Sequence, residues 1–137
     1  MRDLNITPLQ SDVVSRDLIR PYLGASEQLL ANTRVECTFS VELAGSGTAG
    51  TAPQYGKALQ ACGLLEVADP GVDVTYTPMS SSFGSVTIHY NIDGVRHKVT
   101  GCRGTFVINA NVGEIPTIDF TFTGIYNTPD DSALPSV

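Results

Sequence analysis

The nine residues VECTFSVEL, Val35 to Leu43, constrain this chain more than any others. Val35, Cys37, Phe39, Val41 and Leu43 alternate with Glu36, Thr38, Ser40 and Glu42. A period of two places each set on its own face of a β-strand, whereas a helix would mix them. Strands of a parallel sheet are covered on both faces and read as continuous apolar runs. A strand with one apolar and one charged face belongs to an antiparallel sheet.

The same period recurs downstream. In TIDFTFTGIY, Ile118, Phe120, Phe122 and Tyr126 alternate with Asp119, Thr121 and Thr123. The runs SVTIHYNI and VRHKVTG flank Asp93-Gly94, a pair suited to a type I′ hairpin turn. A two-residue turn there sets Ile92 opposite Val95, Tyr90 opposite His97 and Ile88 opposite Val99. His89, Asn91, Arg96 and Lys98 then share the other face. After Val99 the small and apolar positions shift parity to Gly104, Phe106, Ile108 and Ala110, which predicts a β-bulge within Gly101 to Gly104. Asp3 to Leu9 reads as a short strand ended by Pro8, and DVTYTP as a strand stub entering a polar loop.

One helix is expected, at about 52–62. Thr51 and Gln54 have capping-box spacing and Pro53 suits a first turn. Tyr55, Ala58, Leu59 and Cys62 make one face, and Gly63 offers a left-handed stop. The segment Ser11 to Asn32 has no clean period and is broken by Pro21 and Gly24, so a long loop is expected at 11–33. Loops of that length in a compact domain tend to carry function. The end of the chain, 130–137, is Pro-containing and polar and reads as a linker-like tail. With 137 residues the chain suits one core. The expected fold is mainly β: an antiparallel β-sandwich or partly closed β-barrel with one short flanking helix, occupying residues 1–129.

Gly45, Gly47 and Gly50 spell G-x-G-x-x-G after a strand, with Glu66 downstream, as a dinucleotide fingerprint would. The context does not fit. A Rossmann unit needs a first strand apolar on both faces and a helix that begins among the glycines, where its N-terminus meets the pyrophosphate. Here glutamates alternate along the strand and the helix starts only at Thr51 to Pro53, after the glycines. The glycines read as a mobile connector from strand to helix, and no cofactor is expected.

Other chemistry is equally thin. His89 and His97 fall on opposite faces of the hairpin, so they cannot share a metal ion. Ser80, Ser81 and Ser82 lie outside any nucleophile elbow. Cys37, Cys62 and Cys102 are odd in number and widely spaced, with no C-x-x-C pair, as expected for buried free thiols in a reducing compartment. No catalytic, cofactor-binding or metal-binding residue is assigned, and no enzymatic activity is expected. The net charge of −6 disfavours a nucleic-acid grip, which needs clustered Lys and Arg. The N-terminus lacks the apolar core of a signal peptide, and no apolar run reaches membrane-spanning length.

Charged residues make up only 16% of the chain, below the usual quarter, which is a mild sign of an assembly subunit. Within the expected long loop, Arg16, Arg20, Pro21, Tyr22 and Leu23 are candidate subunit-interface residues, because Tyr and Arg are enriched at protein interfaces. The residues by themselves also allow ordinary loop decoration.

Four stretches in this order, SRDLIRPYLGASEQL, VECTFSVELAGSGTAGTAPQYGKALQACGL, VTYTPMSSSFGSVTIHYNIDGVRHKVTGCRGTF and IPTIDFTFTGIYNTPDD, resemble the tail tube proteins of long-tailed bacteriophages and prophages. The resemblance runs from about Asn5 to Asp131 and is carried by the order and spacing of the blocks. It implies a self-assembling structural subunit of the virion tail, made in the host cytoplasm. Its partners would be copies of itself and other tail proteins. The implied assembly is a stack of sixfold rings through which DNA passes without specific binding. Six copies, or three copies of a longer subunit carrying two such domains, would make the ring. The alternatives are another tail component (a terminator, baseplate or connector protein) and a monomeric β-sandwich ligand-binding module. The absence of Trp and the 7% aromatic content count against a sugar-binding module.

Overall fold

The computed structural model describes residues 2–16, 19, 21, 24 and 27–132. Its elements in chain order are β1 (Arg2–Ser15), β2 (Gln28–Glu42), α1 (Gly56–Ala61), β3 (Leu64–Asp69), β4 (Asp73–Pro78), β5 (Val86–Ile92), β6 (Val95–Asn109), β7 (Thr117–Tyr126) and β8 (Asp130–Asp131). Five strands form an antiparallel sheet in the order β1-β2-β7-β6-β5, and β8 adds to β6 beyond the end of β7. β3 and β4 form a separate two-stranded ribbon. The large sheet ends at β1 and β5 and does not close into a barrel, so the architecture is that of a sandwich.

The alternation has the predicted effect from Val35 to Val41, while Leu43 lies beyond β2 and is exposed. In β2, Val35 and Cys37 are buried, and Phe39 packs in one row with Phe120 and Phe106 across β2, β7 and β6. The Phe39 and Phe120 ring centroids are 5.3 Å apart and those of Phe106 and Phe120 6.3 Å apart. Val99, Cys102, Ile118 and Phe122 complete this face. The second layer lies over it: Leu59 and Ala61 from α1, with Tyr55, Leu64 and Tyr76 partly buried beside them. On the opposite face Thr105, Thr121 and Thr123 are exposed. There Ser40 Oγ and Asn109 Nδ2 both donate to the Asp119 carboxylate, linking three strands.

The β5–β6 hairpin has the predicted register, with Ile92 opposite Val95, Tyr90 opposite His97 and Ile88 opposite Val99. Asp93 and Gly94 both take positive φ, 48° and 81°, as a type I′ turn requires. The bulge is present too: β6 slips register against β7 between Thr100 and Arg103. The slip lets Val99 and Cys102, three residues apart, both point into the core.

Four expectations are corrected. The long loop at 11–33 is largely strand, because β1 runs to Ser15 and β2 starts at Gln28. The pairs Val13–Leu30 and Val14–Leu29 zip the two together. Apolar residues on both faces of this stretch erased the period that would have revealed it. The helix is six residues long, not eleven. Tyr55 precedes it without a side-chain cap, and the carbonyl of Thr51 instead accepts a bond from Ser46 Oγ at 2.8 Å. The strand β3, in GLLEVAD, went unread because only the Cys62-Gly63 turn separates it from α1. It pairs antiparallel with β4, and among the described residues no parallel βαβ unit is formed. The polar tail begins later than 130, because Asp130 and Asp131 pair with Arg96 and Val95. The glycine connector forms a hydrogen-bonded turn against the β3–β4 ribbon. Ser46 Oγ also bonds the carbonyl of Thr48, and Gly71 N–H donates to the carbonyl of Ala49 at 3.3 Å. Gly50 lies so close to the Asp69–Gly71 backbone that a Cβ there would collide with it.

Candidate assembly surface

β2 has two neighbours only along part of its length. Its pairing with β7 runs from Arg34–Ile125 to Glu42–Thr117 and stops. Beyond Arg34, β1 and β2 continue together as a two-stranded arm from Gln10–Arg34 to Ser15–Gln28. A bulge marks where the arm leaves the sheet: the register shifts between Gln10 and Asp12, and Asn32 takes a φ of 55°. The Asp12 carboxylate holds this bend, accepting from Asn32 Nδ2 at 3.1 Å and Arg34 Nη1 at 3.0 Å. The Asn32 bond, and then Arg34, draw the Asp12 carboxyl below its ordinary range.

The arm is apolar on both faces. Val13 pairs with Leu30 on one side and Val14 with Leu29 on the other. Val13 is 54% exposed and Leu30 71%. A two-stranded ribbon is marginal in water by itself, and side chains of this size gain about 1.5–3 kcal/mol each when fully buried. The arm's charges meet one another: Arg34 with Asp12, and Arg16 with Glu27 at 3.6 Å.

Of the candidate interface residues, the structure describes Arg16 and Pro21. Arg16 is exposed, and its N–H donates to the carbonyl of Glu27 at 3.1 Å, extending the ladder by one bond. Pro21 is exposed. Arg20, Tyr22 and Leu23 lie outside the described residues. The residues that sequence reasoning missed are the doublets Val13-Val14 and Leu29-Leu30. Their signal was two apolar pairs placed symmetrically about a Pro- and Gly-containing break.

At the opposite end of the sheet, β6 and β7 are joined through residues 110–116. Val112 is fully exposed there, with Val107, Ile108 and Ile115 also exposed nearby. The turn is fastened to β2 by Leu43 N–H donating to the carbonyl of Pro116 at 2.9 Å. Its one acid, Glu114, accepts from Asn111 Nδ2.

The remaining groups offer little chemistry. Among the described residues no cluster of three or more His, Cys, Asp or Glu could hold a metal ion. His89 pairs with Lys98 on one face, while His97 stacks on Tyr90 on the other. All three thiols are free; burial raises Cys37 and Cys102 and pushes Cys62 up to about 11, away from the nucleophilic thiolate. Tyr76 is raised as well, by burial first and then by its bond to Glu66 at 2.7 Å. A shallow, open hollow lies between the glycine loop and Val72 to Tyr76. It has no helix N-terminus to receive a phosphate, because α1 begins only at Gly56. Among the described residues no helix is long and apolar enough to cross a membrane.

A family model described as phage tail tube protein matches residues 7–137. A comparison with curated proteins finds no match.

Proposed function

The chain belongs to the phage tail tube protein family, and from that premise we propose that it assembles into stacked sixfold rings whose channel conducts the genome. As a family member it is a structural component of the virion tail that oligomerises with itself and with other tail proteins. The observation that carries the finer reading is the arm. An exposed ribbon, apolar on both faces and with no third strand among the described residues, calls for burial by another subunit. Arg16, Arg20, Pro21, Tyr22 and Leu23 are proposed to take part in that contact.

The sheet adds support. Its ends at β1 and β5 leave free edges, which a ring closes by placing subunits side by side. The net charge of −6 gives the lumen the sign that lets DNA slide without adhering. The work is mechanical and needs no catalytic residue, and synthesis in the host cytoplasm suits the reduced thiols.

Electron microscopy of the full chain at high concentration tests this reading. Hollow filaments of uniform width are expected. The double variant Val13→Asp, Leu30→Asp should keep the fold by circular dichroism and lose the filaments. A ring that never stacks would point to a tail terminator. A monomer at every concentration would overturn the tube reading.

A further inference from the structure

We propose that Asp93 is a site of spontaneous modification, where the exposed hairpin turn converts its backbone linkage from aspartyl to isoaspartyl as the protein ages. The step uses water alone and needs no enzyme or cofactor. Three observations carry it.

The reacting pair occurs once. Asp93 is the only Asp or Asn in the chain that is followed by Gly. A side chain on the following residue hinders attack by its amide nitrogen on the carboxyl carbon, and Gly94 has none. Nothing stands within 4 Å of the place that a Gly94 Cβ would take.

Both reacting groups are free. Asp93 and Gly94 are exposed, and among the described residues neither the Asp93 carboxylate nor the Gly94 N–H has a hydrogen-bond partner. By contrast, Asp12 is held by Asn32 and Arg34, and Asp130 by Arg96.

Asp93 also carries backbone strain. Its φ is 48°, in the left-handed region that a Cβ disfavours. An isoaspartyl linkage routes the main chain through Cβ and Cγ and removes that clash.

The Gly94 nitrogen attacks Asp93 Cγ. A new N–Cγ bond closes a five-membered succinimide, and the amide proton and the carboxyl hydroxyl leave as water. Water then adds back at one of the two ring carbonyls. Opening at Cγ restores aspartate. Opening at the backbone carbonyl leaves a free α-carboxylate and a chain that runs through the former side chain, with the composition of the parent.

The product adds one methylene to a two-residue turn whose φ values, 48° and 81°, set the hairpin register. Ile92 and Val95 close that turn, Tyr90 and His97 stack beyond it, and Asp131 of β8 pairs with Val95. The modification therefore loosens β5, one free edge of the large sheet.

Ageing the full chain at neutral pH tests this. A protein isoaspartate O-methyltransferase with labelled S-adenosylmethionine counts the modified sites, and electron-transfer fragmentation of a digest places them. Isoaspartate is expected at residue 93 several-fold above any other position, and aged chain should unfold at lower urea than fresh chain. Asp93→Asn keeps a pair suited to the type I′ turn and reaches the same succinimide by losing ammonia, so it should accumulate isoaspartate several-fold faster. Asp93→Glu, one methylene too long for the five-membered ring, should accumulate none there. Isoaspartate spread evenly over the aspartates would overturn the proposal. So would modification of residue 93 in urea alone, since the folded turn would then hold the carboxyl away from the nitrogen. Accumulation at residue 93 with no loss of stability would overturn the effect on the hairpin.

Discussion

Tyr90 and His97 lie face to face across the β5–β6 hairpin, their ring centroids 4.8 Å apart and their planes 4° from parallel. The Asp93-Gly94 turn puts them there by fixing the register, and Tyr90 packs against the core cluster. An aromatic pair of this kind contributes about 0.5–1.5 kcal/mol beyond its buried area. His97→Ala is therefore expected to cost about 1 kcal/mol, measured by urea unfolding. Tyr90→Ala should cost more, because it also opens the core. Equal stabilities for parent and His97→Ala would show that the stack contributes nothing.

Gly124 sits where β7 passes under the β6 bulge. A Cβ there would lie 2.5 Å from Val99 Cγ1 and 2.6 Å from Cys102 Sγ, both in buried residues. Gly124→Ala should destabilise by about 1–3 kcal/mol through overpacking. Gly45→Ala is the control, since a Cβ at Gly45 meets nothing within 4 Å. Thermal denaturation of the pair checks the difference, and two similar midpoints would contradict the packing described for the bulge.

Arg96 clasps Asp130 through Nε and Nη2, fastening β8 to the start of β6. That bond holds the Asp130 carboxyl below its ordinary value of 3.8, as Asn32 and Arg34 hold Asp12. A depressed carboxyl contributes stability above its unfolded value and loses it as pH falls through the lower folded one. The variant Asp12→Asn, Asp130→Asn should therefore show a shallower fall of melting temperature below pH 4. Near pH 7 the change should be small, since exposed pairs contribute little. An acid limb as steep as the parent's would count against both contacts.

The alkaline edge has the opposite cause. Burial lifts Cys62 from 9.0 to about 11, so the folded chain keeps a proton that the unfolded chain releases from pH 9.0 upward. Stability is complete below that value and falls as pH rises toward 11. Tyr76, raised by burial and by Glu66, adds to the fall above its ordinary 10.0. Cys62→Ala should flatten the loss of melting temperature between pH 9 and 11. A curve parallel to the parent's would assign the loss elsewhere.

Much of this molecule could be read where one face of a strand is wet and the other dry. Val35 to Leu43, the Asp93-Gly94 hairpin and the bulge after Val99 all declare themselves through a period of two or a break in it. The arm did not, because Val13, Val14, Leu29 and Leu30 are apolar on both faces and leave no period. The helix was overread because Thr51 and Gln54 have the right spacing for a capping box, yet Ser46 takes the Thr51 carbonyl. The apolar doublets Val13-Val14 and Leu29-Leu30, which flank the Pro- and Gly-containing break, went unnoticed.

The sequence alone determined the fold class, the hairpin register, the rejection of the glycine motif as a nucleotide cradle, and the family resemblance. These depend on contacts between residues near in sequence or on side-chain alternation, which the order of residues states directly. Only the tertiary structure decided where β2 leaves β7 and continues as an uncovered arm. That end point depends on Arg34 pairing with Ile125, a partner far along the chain, and on no strand among the described residues pairing with β2 on that side beyond it. Exposure is a property of what packs against a residue, and a sequence does not name its neighbours in space.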